Sequence, residues 1–251
     1  MGVDPVPDRG TARTTRREGT LVSMPQAGYA TPIAHAPAET RAAYMRRVYT
    51  NLMLGVVAFV AMEVALFSSG LAESIFWFVM DTNWLPILGG FMLVSWLGSR
   101  LTTRAQTPAA AWGGYLVIVA ANALIFAAPL FLANEYVPGA ISNAALITLV
   151  AFAGLSGIAI TTGKDFSFLR GILMWGGLIA LIGIVAAALT GFELGTWFIV
   201  AMIAFAGAAI LYDTQKIFRS FPPGTEVVAA SHLFSSLALM FWYVLQLLLR
   251  R

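Results

Sequence analysis

Asp213 is the residue of this sequence best placed to do chemistry. It ends a run from Leu194 to Tyr212 that carries no charge, so its carboxylate falls where an apolar helix is about to leave hydrocarbon. An ionised Asp there costs roughly 2.5–3.5 kcal/mol and must find a partner, water or a proton. His232 is one candidate. Pro222 marks a short loop; Asp213 lies nine residues before it and His232 ten after. Antiparallel helices on either side of that loop would hold the two groups at about the same depth. An unperturbed imidazole titrates near about pH 6.5, so a His–Asp pair would answer to proton concentration close to neutrality. Ser236 follows His232 by four residues and projects from the same side of a helix.

Two further polar groups interrupt apolar runs. Glu63 sits about 10 Å from the far end of its run at 1.5 Å per residue. It either lines an outer vestibule or is a hydrogen-bonded structural acid. Gly154-Leu155-Ser156-Gly157 has the GxSG form of an intramembrane serine protease, and His232 could be the base of a Ser–His dyad. No oxyanion machinery follows the serine, and the small-residue pattern such enzymes carry around the histidine is lacking, so the chain is not read as an enzyme. As a metal ligand Asp213 offers one carboxylate, far short of the six to eight oxygens Ca²⁺ takes. No resident cofactor is expected. Asn122, Asn143 and Gln246 read as hydrogen-bond glue between helices.

The elements that position these residues follow from composition. The 251 residues are 59% hydrophobic and only 11% charged, against about 25% charged in a soluble domain. The class is an all-α polytopic membrane protein. Cysteine is absent, which excludes disulfides, thiolate metal sites and cysteine nucleophiles. The net charge of +3 is topology signal rather than a nucleic-acid footprint. Residues 1–40 hold five of the eleven prolines and the cluster Arg13, Arg16, Arg17. They read as a disordered tail, with Met24 as an alternative start, ahead of a membrane domain over 41–251.

Apolar runs long enough for the ~20 residues of a spanning helix occur near 47–69, 84–100, within 105–134, and at 141–161, 171–191, 194–217 and 227–249. Alternate connections carry Arg41, Arg46 and Arg47, then Arg100 and Arg104, Lys164 and Arg170, Lys216 and Arg219. The opposite ones carry Glu73, Asp81, Glu135 and Glu193, and the alternation breaks only at Arg250-Arg251. The positive-inside rule places the N-terminus in the cytoplasm and, after seven spans, the C-terminus outside.

Ile210–Ile217 (ILYDTQKI) resembles the sixth-helix signature of the Bax inhibitor-1, or transmembrane Bax inhibitor motif, family. Phe152–Leu169, Met45–Leu54 and Phe241–Leu249 resemble its fourth helix and following loop, the entry to its first helix and the end of its last. The resemblance covers about residues 40–251 and implies a bacterial member in the inner membrane, with a central helix wrapped by the others. It implies a pH-sensitive calcium leak, gated here by protonation of Asp213. The alternative it implies is a non-conducting modulator of a membrane-anchored AAA protease or of a stress response. The family closes its pore with two carboxylates, on the sixth and seventh helices, and an arginine from the second. Here the first acid is Asp213, the arginine matches Arg100, and Ser236 stands at the second aspartate. Gln246 stands where a basic residue is usual. Two carboxylates share a proton and titrate together; one Asp beside a Ser cannot, which is why His232 is the substitute partner expected. Ion selectivity, oligomeric state and partner identity are not legible in the sequence.

Overall fold

The computed structural model describes residues 1–2, 32–162 and 164–250. Within them the chain forms eight α-helices and no strand: α1 (Ala38–Ser68), α2 (Leu71–Asp81), α3 (Trp84–Arg104), α4 (Pro108–Tyr136), α5 (Ala140–Thr161), α6 (Leu169–Thr190), α7 (Thr196–Ser220) and α8 (Glu226–Leu249). All but α2 are long and apolar enough to cross a membrane. The helices begin and end where local chemistry stops them. Asn83 accepts a hydrogen bond from the Leu85 N–H to start α3, and Thr107 accepts one from the Ala110 N–H to start α4, ahead of Pro108 at the first turn. Both satisfy backbone donors left free at a helix N-terminus. Gly70 and Gly139 take positive φ between α1 and α2 and between α4 and α5, a backbone state that side-chain-bearing residues avoid.

Two differences from the sequence reading have simple causes. The 11-residue α2 was not anticipated, because it is too short to register as a span. The tail expected over 1–40 lies, for residues 3–31, outside the described residues. Its last part is ordered: Ile33–His35 form a 3₁₀ turn and α1 already begins at Ala38. Ile33 is buried, and its N–H donates to the Phe221 carbonyl at 2.9 Å. An apolar anchor and one backbone bond hold this stretch against the α7–α8 loop.

The basic connections gather at one end of the bundle. There Tyr44 meets Thr225 at 3.2 Å, Arg47 lies 3.7 Å from Glu226, and Arg219 lies 3.8 Å from Asp165. We call this the basic end and the opposite one, with Glu73, Asp81, Glu135 and Glu193, the acidic end. Helix α8 is central: it touches α1, α3, α4, α5 and α7. Phe126 of α4 is the hub of an aromatic cluster, stacked on Phe241 of α8 at 5.5 Å and edge-on to Trp242 at 5.1 Å and to Phe59 of α1 at 5.4 Å. Helix α6 is the exception, with only Leu169 buried and its main packing against α7.

Lipid supplies no hydrophobic drive between helices, so backbone approach at small residues carries much of the packing. The α3–α4 crossing shows this directly. A Cβ on Gly114 would lie 2.4 Å from the Thr102 backbone nitrogen, and one on Gly98 would lie 3.0 Å from the Gly114 carbonyl oxygen. Neither obstacle is a side chain that can turn away. Gly114→Ala should therefore cost about 1–3 kcal/mol by overpacking, seen as a lower apparent Tm in detergent. Gly113→Ala, whose Cβ would meet nothing within 4 Å, should leave the Tm unchanged. Equal Tm values for the two variants would refute so close a crossing.

Candidate functional site

The four residues Tyr212-Asp213-Thr214-Gln215 occupy the last turns of α7. Successive helical side chains point about 100° apart at 3.6 residues per turn, so four in a row address four directions. Asp213 reaches α8, where the Ser236 hydroxyl donates to its Oδ2 at 2.5 Å. Thr214, fully buried, meets the Ser156 hydroxyl of α5 at 3.4 Å. Gln215, also buried, accepts from the Phe166 N–H at 2.8 Å and donates through Nε2 to the Lys164 carbonyl. The Tyr212 ring lies 5.7 Å from the Lys216 ammonium on the outer face. One turn further, Arg219 donates to the Lys164 carbonyl at 3.3 Å. The motif thus fastens the basic end of α7 to α8, to α5 and to the α5–α6 connection at once.

That connection is finished by local chemistry. The Ser167 hydroxyl and N–H both donate to Asp165 Oδ1, at 2.5 and 2.9 Å. With Arg219 nearby, these bonds hold the exposed Asp165 carboxyl below the usual aspartate range. On the other side, Tyr49 of α1 is buried beside Ser156 and Thr214 without a well-formed hydrogen bond, its ring edge-on to Phe152 at 6.4 Å.

The structure brings some of the expected site residues together and separates others. Asp213 and Ser236 are in direct contact. His232 is not paired with Asp213 within 4 Å; it is half-buried, edge-on to Phe221 with ring centres 5.9 Å apart. Its charge and that of Lys216 are still felt at the Asp213 carboxylate. Counting depth from Pro222 treated the loop as helix, whereas residues 221–225 lie outside α7 and α8. The rung of α8 level with Asp213 is Ser236, one turn beyond His232.

Arg100 does not meet Asp213. It is exposed, and its guanidinium lies over the Trp96 ring at 4.6 Å. Helix α3 turns Gly98 toward α4, so Arg100, two residues on, is rotated by about 200° from that face and away from α7. Glu63 is buried, at 7% exposure, with neither carboxylate oxygen hydrogen-bonded among the described residues. No protein group among the described residues bonds it as a structural acid would be bonded. Nor does it line the cavity at the acidic end, whose walls come from α2, α3, α4, α6, α7 and α8. The Ser156 hydroxyl faces Thr214 rather than His232, so no Ser–His dyad is assembled. Among the described residues no three His, Asp or Glu cluster to hold a metal.

Sequence reasoning missed the tie of Thr214 to α5 and the loop that Gln215 secures. The available signal was two uncharged polar residues beside an acid at the end of an apolar helix, where each must find a partner. A cavity of about 480 Å³ between α3, α4, α6, α7 and α8 runs from Trp84 to His232. It is apolar toward Trp84 and polar near Ser95, Asn122, Ser231 and His232.

A comparison with family models matches residues 41–251 to the one described as Inhibitor of apoptosis-promoting Bax1. A comparison with curated proteins finds no match.

The Gln215 clamp has a direct test. Gln215→Ala leaves the Phe166 N–H and the Lys164 carbonyl without their side-chain partner, a loss of about 0.5–1.5 kcal/mol for each part-buried hydrogen bond. Amide hydrogen exchange at Phe166 should accelerate while exchange in the middle of α8 stays unchanged. Unaltered exchange at Phe166 would mean the clamp does not hold the loop.

Proposed function

Because the chain belongs to the Bax inhibitor-1 family, we propose that this integral membrane protein is a pH-sensitive cation leak of that type. Asp213 is its gate and calcium the ion carried. The observation that carries the reading is the Asp213–Ser236 bond, which ties α7 to α8 at the basic end through a half-buried carboxylate. A hydrogen bond to an ionised acceptor is roughly twice as strong as a neutral one. Protonating Asp213 removes that assistance and weakens the tie between the two helices. Leak is then least when the carboxylate is charged and rises as pH falls. His232 and Lys216 are the groups whose charges bear on Asp213, so they set where on the pH axis the change falls. Calcium is treated as cargo, since a lone carboxylate cannot hold it against its need for six to eight oxygens.

The positive-inside rule places the basic end in the cytoplasm, and the reading adopted for the membrane is a bacterial inner membrane. No catalytic step is proposed. A second reading, a non-conducting modulator of a membrane-anchored protease, draws on the Gln215 clamp. It holds the exposed Lys164–Ser167 stretch in one shape at the basic end, as a docking surface requires.

The two readings separate in liposomes loaded with a calcium dye. Stepping the pH from about 8 to about 6, across the histidine range, should raise calcium flux through the wild type. Asp213→Asn, which cannot ionise, should leak at both pH values, and Ser236→Ala should begin to leak at higher pH than the wild type. Absence of flux from the wild type would remove the conduit and leave the modulator. A pH response that survives Asp213→Asn would remove Asp213 as gate. His232→Ala should shift the response without abolishing it.

A further inference from the structure

We propose that the cleft at the acidic end is a binding site for one anionic phospholipid, its phosphate at Arg250 and an acyl chain running down between α3 and α6. The cleft encloses about 830 Å³, with Thr82, Asn83, Gln246 and Arg250 among the residues lining it. Trp84, Ile184, Trp242 and Tyr243 line both this space and the 480 Å³ cavity below it, so the two adjoin across these side chains. The first stretch below is apolar, walled by Leu88, Phe91, Leu181 and Ile184.

Three observations select the ligand. The first is charge. The connections at this end carry Glu73, Asp81, Glu135 and Glu193, and Arg250 reverses their sign. Arg250 is exposed and has no ion pair or hydrogen bond among the described residues. The second is access. Helix α6 is held chiefly by α7 and only lightly against α3, so the slot between α3 and α6 lies on the side of the bundle that faces lipid. The third is amphipathic order. A polar rim with one cation opens onto an apolar slot, and Trp84, Trp242 and Tyr243 stand at the junction, as aromatic residues do at membrane interfaces. A molecule with an anionic head and a hydrocarbon tail satisfies both parts. The site stands whether or not the bundle conducts ions.

Native mass spectrometry of the full chain in detergent, offered phosphatidylglycerol and phosphatidylcholine with identical acyl chains, tests it. The wild type should retain one phosphatidylglycerol in preference to phosphatidylcholine. Arg250→Gln should lower that preference by roughly five-fold, the effect of one basic residue near a membrane surface. Arg170→Gln, at the opposite end, should preserve it. Ala188→Trp, which fills the apolar wall, should reduce retention of both lipids. Excess inorganic phosphate should leave the lipid in place. Equal retention of the two lipids by the wild type would overturn the site, as would a preference that survives Arg250→Gln. Displacement by inorganic phosphate with Ala188→Trp silent would show a bare anion contact and overturn it too.

Discussion

A carboxylate near hydrocarbon must be compensated, and the basic end of this bundle is arranged around meeting that demand at Asp213. The acid is not matched by an opposite charge in direct contact. It is matched by a hydroxyl from the central helix, with the charges of His232 and Lys216 at longer range. A hydroxyl donates one hydrogen bond and carries no charge, so the compensation is partial and sensitive to the protonation of the acid. The residues on either side of Asp213 do the opposite. Thr214 and Gln215 make ties that involve no ionisable group, and those hold at any pH. Within four residues α7 combines permanent attachments to α5 and the α5–α6 connection with one attachment, to α8, that depends on a proton.

The remainder of the fold gives that one attachment room to act. Helix α8 is clasped along its length by α1, α4 and α5, through the Phe126 cluster and buried small residues. The α3–α4 pair is locked by backbone contact at Gly98 and Gly114. These parts form a close-packed body that cannot deform in small steps. Helix α6 is less enclosed, with only Leu169 buried, and the large cavity lies between α6, α7 and the body. Loss of the Asp213–Ser236 tie would weaken the α7–α8 contact at the basic end, one turn of α8 from His232 at the cavity wall.

Much of this was legible in the sequence because lipid imposes simple rules. Seven apolar runs separated by charged connections predict the seven long helices to within a few residues, except that α1 begins at Ala38, well before its run at 47, and the sign of the loop charges predicts which connections gather at one end. Asp213 stood out because a charge after so long an apolar run is costly. Its partner was harder to read. The depth of Ser236 against Asp213 depends on how the 221–225 loop turns, and no sequence rule sets that geometry. Arg100 was misplaced for a related reason. Its level in the bilayer could be read from the sequence, but the direction of its side chain follows from the rotation of α3, fixed by the glycine contact with α4. Glu63 shows the limit from the other side. Its burial could be anticipated from its place in an apolar run, but the absence of a hydrogen-bonding partner could not.

That Ser236 stands where the resemblance implies a second acid has a consequence that follows from stoichiometry. A pair of carboxylates held together takes up protons in two steps, and the first proton is shared between them. The tie between helices is then strongest in the singly protonated state and weakens on either side of it. An Asp–Ser pair has one titrating group and no shared proton, so the tie is strongest whenever Asp213 is charged and weakens only as protons are added. Under the proposed gating such a tie would keep the closed state to high pH, where two ionised acids would be pushed apart by their own repulsion. His232, one helical turn from Ser236 and within electrostatic reach of Asp213, adds a second titrating group on α8 near that tie. Under the proposed gating, a response to pH would accordingly be set by one acid and one imidazole at a distance, rather than by two acids in contact.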